Sequence, residues 1–376
     1  MRSPGTVARR CTSTRVRVGG ALLALALAAG TSACGSGGDS DSNASPTPSS
    51  SSLVSQQRCA ANKAAGTINY VSPFGFDASA GIIDAFAAQK LGYFKDMCLS
   101  VSFITNSPNY QSLVSAGRAQ MTNIGSAADL MLAVGNNANL IGVSTYANTS
   151  NYAILAHKDV TTLKQLEGKA VGYHFTVPVV ISQMLTKAGV DVKKVKFINT
   201  TNYDPNQLFQ GRFDAMEVYR SNEPLVLHAA GKEFTEFDPG QFGVSGTYDP
   251  MVANKDFLAQ HRSAVQDFLR AQLHAFHYCV DHVTECVSIE ASYARDAGAT
   301  YDVAHETQVW KFSAQLVQQN TLPGKGIGVH TAAEWTPEYQ GLQQLGLVKS
   351  LPPLSDFQDT ELVASLYNGA TLNWPG

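Results

Sequence analysis

The chain has 376 residues, of which 44% are hydrophobic and 15% are charged. A chain of this length and hydrophobic content can form two or three domains with full cores, which excludes disorder over most of it. The formal net charge is −3. A mildly acidic protein has no general attraction for phosphate backbones, so nucleic acid is excluded as a partner.

The N-terminus has the order of a bacterial export signal. Five arginines precede a short apolar run at residues 18–29, which falls below the ~20 residues that span a bilayer. Removing residues 1–33 takes away these arginines and no acids, which brings the net charge from −3 to −8. Residues 31–34 (TSAC) are similar to a lipobox, although threonine stands where leucine is usual. We predict that residues 1–33 are a signal peptide and that Cys34 carries lipid; ordinary signal-peptidase cleavage is the alternative.

Residues 34–58 are predicted to form a tether. The segment 35–52 (GSGGDSDSNASPTPSSSS) contains no large apolar side chain that could build a core. A linker of ~24 residues with this composition spans roughly 25–30 Å as a flexible coil. A lipid at Cys34 followed by such a tether would hold a globular body just outside the cell membrane. We therefore predict an extracytoplasmic, lipid-anchored protein.

Four cysteines remain in the exported body: Cys59, Cys98, Cys279 and Cys286. An even number in an oxidising compartment predicts two disulfides, with three possible pairings. Proximity in the sequence favours Cys279–Cys286, and Cys59–Cys98 would then fasten the start of the fold. The alternative is a metal site in which these cysteines join His274, His277 and His282; we predict no metal, because oxidised cysteines pair with each other.

The folded body opens with an α/β unit at residues 67–101. Residues 67–72 alternate like a strand, a helix follows from residue 79, and residues 99–104 return as a second strand. Between the first strand and the helix lies a loop that carries Phe74, Phe76 and Asp77. Loops at the carboxyl ends of parallel strands and at helix N-termini are where such sheets bind small ligands.

The same strand–helix–strand pattern returns about a hundred residues later. Its strands are predicted at residues 169–175, 195–199 and 215–219. Two similar α/β units indicate two lobes that face a cleft. We assign residues 59–156 and 250–376 to one lobe and 157–249 to the other, so that the chain first crosses near residue 157.

The C-terminal third is predicted to be helical and to pack around the lobe formed by residues 59–156 and 250–376. Apolar residues at helical spacing mark these segments: 256–278, 286–294, 303–319, 332–344 and 360–367. None of the motifs GxSxG, HExxH, CxxC, SxxK or GxGxxG occurs in the chain. We therefore predict no catalytic residue, no cofactor and no enzymatic activity.

Several short motifs occur in order along the body: QKLGYF at 89–94 with 99–101, AGR at 116–118, residues 124–129, GRFDA at 211–215, and SNEP at 221–224. Together they resemble the NMT1/THI5-like substrate-binding proteins of ABC transporters, and SNEP resembles the NEP motif of the pyrimidine and riboflavin branch. The resemblance covers roughly residues 67–367. It implies an α/β, type II periplasmic-binding-protein fold whose lobes close on a solute by hinge motion. It also implies a monomer whose partners are a permease and an ATPase.

The loops at strand ends are poor in cations, with Arg220 as the exception, and rich in aromatic rings. The aromatic candidates are Phe74, Phe76, Tyr110, Tyr146, Tyr152, Tyr173, His174, Phe175, Tyr203 and Tyr219. Acidic side chains accompany them: Asp77, Asp129, Asp204 and Glu223. Flat rings flanked by carboxylates suit a neutral or weakly basic heteroaromatic solute, such as a thiamine pyrimidine precursor or a riboflavin-like compound.

Three alternatives stay open. A sulfonate- or nitrate-binding protein of the same family would need more cations in these loops. A pyrimidine-synthase-like enzyme would need a cysteine cluster, which the chain lacks. A transport-independent surface sensor would use the same cleft. For the site itself we predict contacts from both lobes, by Phe74, Phe76, Asp77, Asn123, Ser126, Tyr146, Tyr173, His174, Thr176, Tyr219, Asn222 and Glu223.

Overall fold

The structure is a computed structural model that describes residues 53–200, 203–348 and 350–375. Its helices are α1 (Gln56–Ala64), α2 (Ile83–Lys90), α3 (Tyr93–Asp96), α4 (Tyr110–Ser115), α5 (Ala127–Gly135), α6 (Val179–Lys187), α7 (Glu223–Ala229), α8 (Lys255–Gln260), α9 (Arg262–Asp281), α10 (Val283–Asp296), α11 (Val303–Gln319), α12 (Ala332–Gln344) and α13 (Thr360–Ala364). Its strands are β1 (Thr67–Val71), β2 (Ser100–Ile104), β3 (Met121–Asn123), β4 (Leu140–Ala147), β5 (Tyr152–His157), β6 (Ala170–Tyr173), β7 (Lys196–Asn199), β8 (Ala215–Tyr219), β9 (Phe234–Phe237), β10 (Tyr248–Asn254), β11 (Tyr367–Asn368) and β12 (Thr371–Leu372).

Two five-stranded sheets share one topology. The first has the order β2-β1-β3-β10-β4 and the second has the order β7-β6-β8-β5-β9. In each sheet the first three strands are parallel, and the fourth is antiparallel to both of its neighbours. We call the first sheet with the helices packed on it lobe 1, and the second sheet with α6 and α7 lobe 2. The predicted α/β class is thereby confirmed.

The chain crosses between the sheets earlier than the sequence suggested. β5 pairs with β8 and β9 of the second sheet, so the first crossing lies between β4 and β5 and not near residue 157. The return crossing leads into β10, which pairs with β3 and β4. Each sheet therefore contains one antiparallel strand that lies next to a crossing in sequence.

Lobe 1 has a core on both faces of its sheet. On one face α2, α9, α10 and α11 bury large rings such as Phe86, Phe268 and Trp310. On the other face α5 and α12 bury Leu130 and Trp335. Removing each such side chain from water stabilises the fold by about 1.5–3 kcal/mol. The cores of lobe 2, on the two faces of the second sheet, contain fewer and smaller side chains.

Both predicted disulfides are confirmed. Cys59–Cys98 joins α1 to the loop before β2, with a Cα–Cα distance of 5.2 Å, and Cys279–Cys286 joins α9 to α10 at 5.6 Å. The predicted tether is too long at its end, because α1 begins at Gln56 and the hydroxyl of Ser55 caps it. Cys34 and the rest of the predicted signal and anchor lie outside the described residues.

The helical C-terminal third is confirmed with three changes. The helix predicted at 286–294 is longer, since α10 spans Val283–Asp296. The single helix predicted at 256–278 is two helices, α8 and α9, which meet at His261, where φ is −132°. The last predicted helix is shorter, since α13 ends at Ala364. Helices α11 and α12 have the predicted bounds. Among the described residues, no helix combines the length and the apolar character needed to cross a membrane.

Candidate functional site

A cavity of about 440 Å³ lies between the two sheets. In lobe 1 it is lined by the segments that follow β1 and β3, and in lobe 2 by the segments that follow β6 and β8. These are the carboxyl ends of the parallel strands, where α/β sheets place their ligands. Two non-glycine residues on its wall, Phe175 and Asp249, have positive φ values of 51° and 54°. Backbone strain of this kind is concentrated at functional sites.

The structure brings seven of the twelve predicted site residues to this cavity. They are Phe74, Asn123, His174, Thr176, Tyr219, Asn222 and Glu223. Three of them lie at or just after the end of β8, as expected for a strand that ends at a ligand. The remaining five lie elsewhere, each for a local reason.

Two of the five belong to the core of lobe 1. The ring of Phe76 lies 5.1 Å from the rings of both Phe86 and Tyr293. Tyr146 is buried, and its hydroxyl donates to the carboxylate of Asp84 on α2. Both rings were expected in the site because they follow or end strands, but their side chains face the helices.

The other three have structural positions or face away from the cavity. Asp77 is exposed in a short 3-10 helix. Ser126 caps α5: its hydroxyl accepts from the amide of Asp129 and donates to that residue's carboxylate at 2.8 Å. Tyr173 precedes His174 by one residue, so strand alternation turns it to the opposite side, where it packs on Phe197.

Sequence reasoning named some other lining residues as candidates without placing them in the site: Tyr110, Asp129, Tyr152, Phe175 and Tyr203. It missed others, among them Tyr70, Glu217, Tyr248, Asp249 and Glu306. Glu217 could have been found, because it precedes Tyr219 by two residues and therefore shares its face of the strand.

The lobe 1 wall is a chain of buried polar groups. The hydroxyl of Tyr70 donates to Oδ1 of Asn123, and Nδ2 of Asn123 donates to Oδ2 of Asp249 at 2.8 Å. Burial, reinforced by the charge of Asp84, raises the pKa of Asp249 well above its usual range. A carboxyl in this position holds its proton more tightly than usual, which makes it a possible hydrogen-bond donor to a solute.

In lobe 2, His174 and Glu217 form a paired unit. Oε2 of Glu217 accepts from the backbone amide of His174 at 3.1 Å and lies 3.2 Å from its ring Nδ1. The imidazole is stacked on the ring of Tyr203, with centroids 4.3 Å apart. These contacts hold a flat polar surface at the cavity wall.

Glu223 begins α7 beside this pair and is almost fully buried. Its Oε2 accepts from the backbone amide of Tyr219 at 2.9 Å, and its Oε1 accepts from Nδ2 of Asn222 at 3.3 Å. Burial raises its pKa to about 7. A ring nitrogen of His305, which comes from α11 of lobe 1, lies 2.7 Å from Oδ1 of Asn222. Helix α11 of lobe 1 therefore contacts the turn between β8 and α7 of lobe 2.

A second contact across the cleft depends on a glycine. The hydroxyl of Tyr152 donates to Oδ2 of Asp129 at 3.3 Å, and its ring stacks on Tyr219 with centroids 5.0 Å apart. A Cβ at Gly125 would lie only 1.9 Å from the Tyr152 hydroxyl. Glycine at this position therefore allows the two lobes to approach. Burial raises the pKa of Asp129 to about 6.

Phe74 of lobe 1 fits among three rings of lobe 2. Its centroid lies 6.1–6.2 Å from those of Phe175, Tyr203 and Tyr219, in edge-to-face geometry. Such pairs contribute roughly 0.5–1.5 kcal/mol beyond the area they bury. The tyrosine and phenylalanine rings that line the cavity, which we call the cavity rings, are Tyr70, Phe74, Tyr110, Tyr152, Phe175, Tyr203, Tyr219 and Tyr248.

Arg220 is the cation that the sequence placed at a strand end. It does not line the cavity; its guanidinium lies 2.6 Å from Asp238 and 3.3 Å from Glu236, both in lobe 2. No other arginine and no lysine lines the cavity among the described residues. The carboxyl side chains that do, which we call the cavity carboxyls, are Asp129, Glu217, Glu223, Asp249 and Glu306.

Solved structures with this architecture are numerous and distant in sequence. A ligand-binding component of an ABC-type import system from Staphylococcus aureus, solved with zinc bound, has 14% identity and a TM-score of 0.57, over 79% of this chain and 97% of that one. The periplasmic aliphatic sulphonate binding protein SsuA from Escherichia coli has 14% identity and a TM-score of 0.55, over 82% and 94%. The desulfurization enzyme DszB has 12% identity and a TM-score of 0.54, over 80% and 98%. The fold is that of the periplasmic binding proteins.

The family follows from the sequence. The model of the NMT1/THI5-like family matches residues 79–285, which is more than half of the chain. The chain therefore belongs to the NMT1/THI5-like family, as its motifs indicated. A search of curated protein sequences finds no significant match.

Proposed function

We propose that this protein is the solute-binding component of an ABC import system and captures a small heteroaromatic compound outside the cell membrane. In this proposal Cys34 carries the lipid anchor, the two lobes close on the solute, and the protein acts as a monomer that delivers it to a permease and its ATPase. The family membership and the likeness to the Staphylococcus aureus import component support the transport role. No catalytic step is part of it.

One observation carries the choice of solute. The cavity combines eight rings with five carboxyls, and no lysine or arginine lines it among the described residues. Rings that cross the cleft can stack on a flat solute, and buried carboxyl and amide groups can bond its edge. A volume of about 440 Å³ suits a small heterocycle, within the size range of small-molecule sites.

A sulfonate is the second candidate, because SsuA has the same fold. A sulfonate is an anion, and buried anions are generally bound by arginine, lysine and backbone amides. Arg220 is held by two acids of lobe 2, Glu236 and Asp238, and does not reach the cavity. The charge balance therefore favours the heterocycle.

An enzyme is the third candidate, because DszB also has this fold. A cysteine-to-serine mutant of that enzyme has been solved in complex with biphenyl-2-sulfinic acid. No cysteine lines the cavity of this chain, and the four cysteines of the described residues are in disulfides. This favours binding without turnover.

A thermal-shift screen tests the proposal. The panel contains pyrimidine precursors of thiamine, riboflavin-like compounds, aliphatic sulfonates and nitrate. We expect the largest rise in melting temperature from a heteroaromatic compound, because only a flat ring uses the cavity rings. A larger rise with a sulfonate or nitrate would refute the heterocycle and support the second candidate.

Glu223→Gln tests the site with the best compound of that screen. If Glu223 accepts from the solute, the change should cost ~1–3 kcal/mol, a roughly ten- to hundred-fold loss of affinity by calorimetry. The melting temperature of the unliganded protein at pH 6 should be retained, because the amide resembles the protonated acid. Glu233→Gln, the same change at an exposed carboxylate of lobe 2, is the control. Unchanged affinity would mean that Glu223 only holds Tyr219 and Asn222.

A further inference from the structure

The cavity carboxyls are not balanced by protein cations. Among the described residues, none of the five forms an ion pair with lysine or arginine, and the histidine that acts on them is His174, which contacts Glu217 and whose charge also acts on Glu223. The side-chain hydrogen-bond donors of two of them are neutral: Ser126 and Tyr152 for Asp129, and Asn123 for Asp249. The site therefore has a large excess of potential negative charge.

The ionisable groups that act on these carboxyls are mostly acids as well. The charges of Asp77 and Asp302 raise the pKa of Glu306. Glu290 of α10 lies close enough that the two carboxyls repel each other when ionised. The charge of Asp84 on α2 raises the pKa of Asp249, and the charge of Glu217 across the cleft raises that of Asp129. For Glu223, the charge of Glu217 also raises the pKa, whereas the charge of His174 and the backbone amides of Tyr219 and Glu223 favour its charged form. An unpaired set of this kind is unfavourable when ionised.

Two properties of the cavity compensate for that excess if a ligand brings positive charge. Burial raises the pKa of Glu223 to about 7 and that of Glu306 to about 8, so these groups can lose protons when a cation arrives. The faces of tyrosine and phenylalanine rings attract organic cations. The cavity rings surround the same space as the carboxyls.

We propose, on the basis of the solute-binding function above, that the ligand is an organic cation: a flat ring that carries a protonated amine or amidine, or a quaternary nitrogen. The cavity rings would contact its faces, and the cavity carboxyls of both lobes would neutralise its charge. A neutral heterocycle would leave those carboxyls unpaired, and an anion would add to the repulsion.

The first experiment compares probes that differ in charge. 1-Methylnicotinamide is a permanent cation, nicotinamide is its neutral relative, and nicotinate is an anion on the same ring. Benzyltrimethylammonium, benzyl alcohol and benzenesulfonate form a second series without a heterocycle. In thermal shift and calorimetry at pH 8 we expect the cation of at least one series to bind about tenfold or more tightly than its neutral relative. The anions should not bind.

The outcomes separate this inference from the proposed function. Equal or tighter binding of neutral nicotinamide would overturn the cation and leave the heteroaromatic solute standing. Binding of benzyltrimethylammonium without any pyridine would support the cation and count against the heteroaromatic solute. If no cation of either series raises the melting temperature at millimolar concentration, the inference is overturned.

The second experiment removes one carboxyl. Glu306 is largely buried on the cavity wall, and Glu306→Gln keeps its shape without its charge. We expect this variant to bind the cationic probe at least about fivefold more weakly at pH 8 and the neutral probe as before. Glu233→Gln, at the exposed pair with Lys158, should bind both as the unmodified protein does. Equal weakening for cationic and neutral probes would assign Glu306 a packing role and overturn the proposed charge recognition.

Calorimetry in two buffers of different ionisation enthalpy gives an independent measurement. 1-Methylnicotinamide has no proton to exchange, so a release of protons on its binding at pH 7 must come from the protein. We expect net release with this probe and none with nicotinamide. Net uptake of protons with the cation would overturn the inference even if the cation binds.

Discussion

Lobe 1 and lobe 2 contain five-stranded sheets with the same pattern of parallel and antiparallel strands, yet they are supported in different ways. Lobe 1 has helices and large rings on both faces, both disulfides, and a buried ionic cluster around Asp267 on α9. Lobe 2 contains no cysteine. Its lysine pairs Lys158–Glu233 and Lys169–Asp214 are partly or largely exposed, and Arg220 with Glu236 and Asp238 is only partly buried. Exposed pairs contribute only about 0–1 kcal/mol. The comparison shows that a shared topology does not imply shared stability.

The difference suits a protein that closes on a solute. A lobe with a thick core can act as a fixed base, while a lightly supported lobe opens at lower free energy. Some of the contacts that join the lobes around the cavity are polar or aromatic, such as Tyr152 with Asp129 and Phe74 with Tyr219. The following predictions test whether the stability resides in lobe 1.

The largest effect is expected from Asp267→Asn. Asp267 is fully buried and accepts from Arg58 at 2.7 Å, from Asn62 at 2.6 Å and from Arg270 at 2.9 Å. Removing its charge leaves two arginines without their partner, which should lower the free energy of unfolding by ~3–5 kcal/mol in urea titration. Asp296→Asn, at an exposed pair of lobe 1, is the control and should change it by less than about 1 kcal/mol. Similar small losses for both variants would contradict a buried ionic support.

The disulfides should contribute according to the loops that they close. Their sequence separations are 39 for Cys59–Cys98 and 7 for Cys279–Cys286. Loop-closure entropy gives about 4 kcal/mol for the first and about 2.5 kcal/mol for the second. Paired cysteine-to-alanine variants, unfolded in urea, measure both values. Amide exchange should show the loss in lobe 1, with lobe 2 protection little changed; the reverse order of the two values would refute loop entropy as the main source of the stabilisation.

The smallest effect per variant is expected in the pH dependence of the free energy of unfolding. Burial raises the pKa of Asp84 in lobe 1 and of Glu223 in lobe 2 to about 7, from ordinary values of 3.8 and 4.5. The folded protein therefore holds protons that the unfolded chain has already released, and this stability is lost as the pH rises through 7. Histidines with lowered pKa values, such as His330, act in the opposite sense below about pH 6.5, so the test window is pH 6.5–8.5.

Within this window we expect the free energy of unfolding of the unliganded protein to fall by about 2–4 kcal/mol. Asp84→Asn and Glu223→Gln should each flatten the decline by ~0.5–1 kcal/mol. Urea titrations at pH 6.5, 7.5 and 8.5 measure it. Stability that rises with pH in both variants and in the unmodified protein would contradict protonated buried carboxyls. If Asp84→Asn alone reduces the pH dependence of the free energy of unfolding, the buried carboxyls responsible lie in lobe 1.

Much of the fold follows from local sequence. β8, α11 and α12 have the bounds that alternation and helical spacing predict, because these signals depend only on residues close in the chain. The pairing of the cysteines also followed from proximity. The motifs that resemble the NMT1/THI5-like family lie in the matched residues 79–285, so the family too was available from sequence.

Local sequence pattern predicted only part of the site. Phe74, His174 and Tyr219 lie at strand ends, where local pattern points to a ligand, and all three line the cavity. Tyr146 also ends a strand, but its hydroxyl is taken by Asp84 on α2, a contact that strand position alone does not reveal. A side chain's direction depends on what packs against its strand, and that is decided by residues far away in the chain.

Asp249 and Glu306 required the tertiary structure altogether. Asp249 begins the strand by which the chain returns to lobe 1, and Glu306 lies in the first turn of a helix that packs beside the first loop of the fold. Neither position has a local ligand signal, because each looks like an ordinary acidic residue at the start of a strand or helix. The sequence by itself determined many of the helices and strands, favoured the disulfide pairing that the structure has, and indicated the family. The charge balance of the cavity emerged only when folding brought five carboxyls from distant segments together, with no lysine or arginine of the described residues lining the same wall.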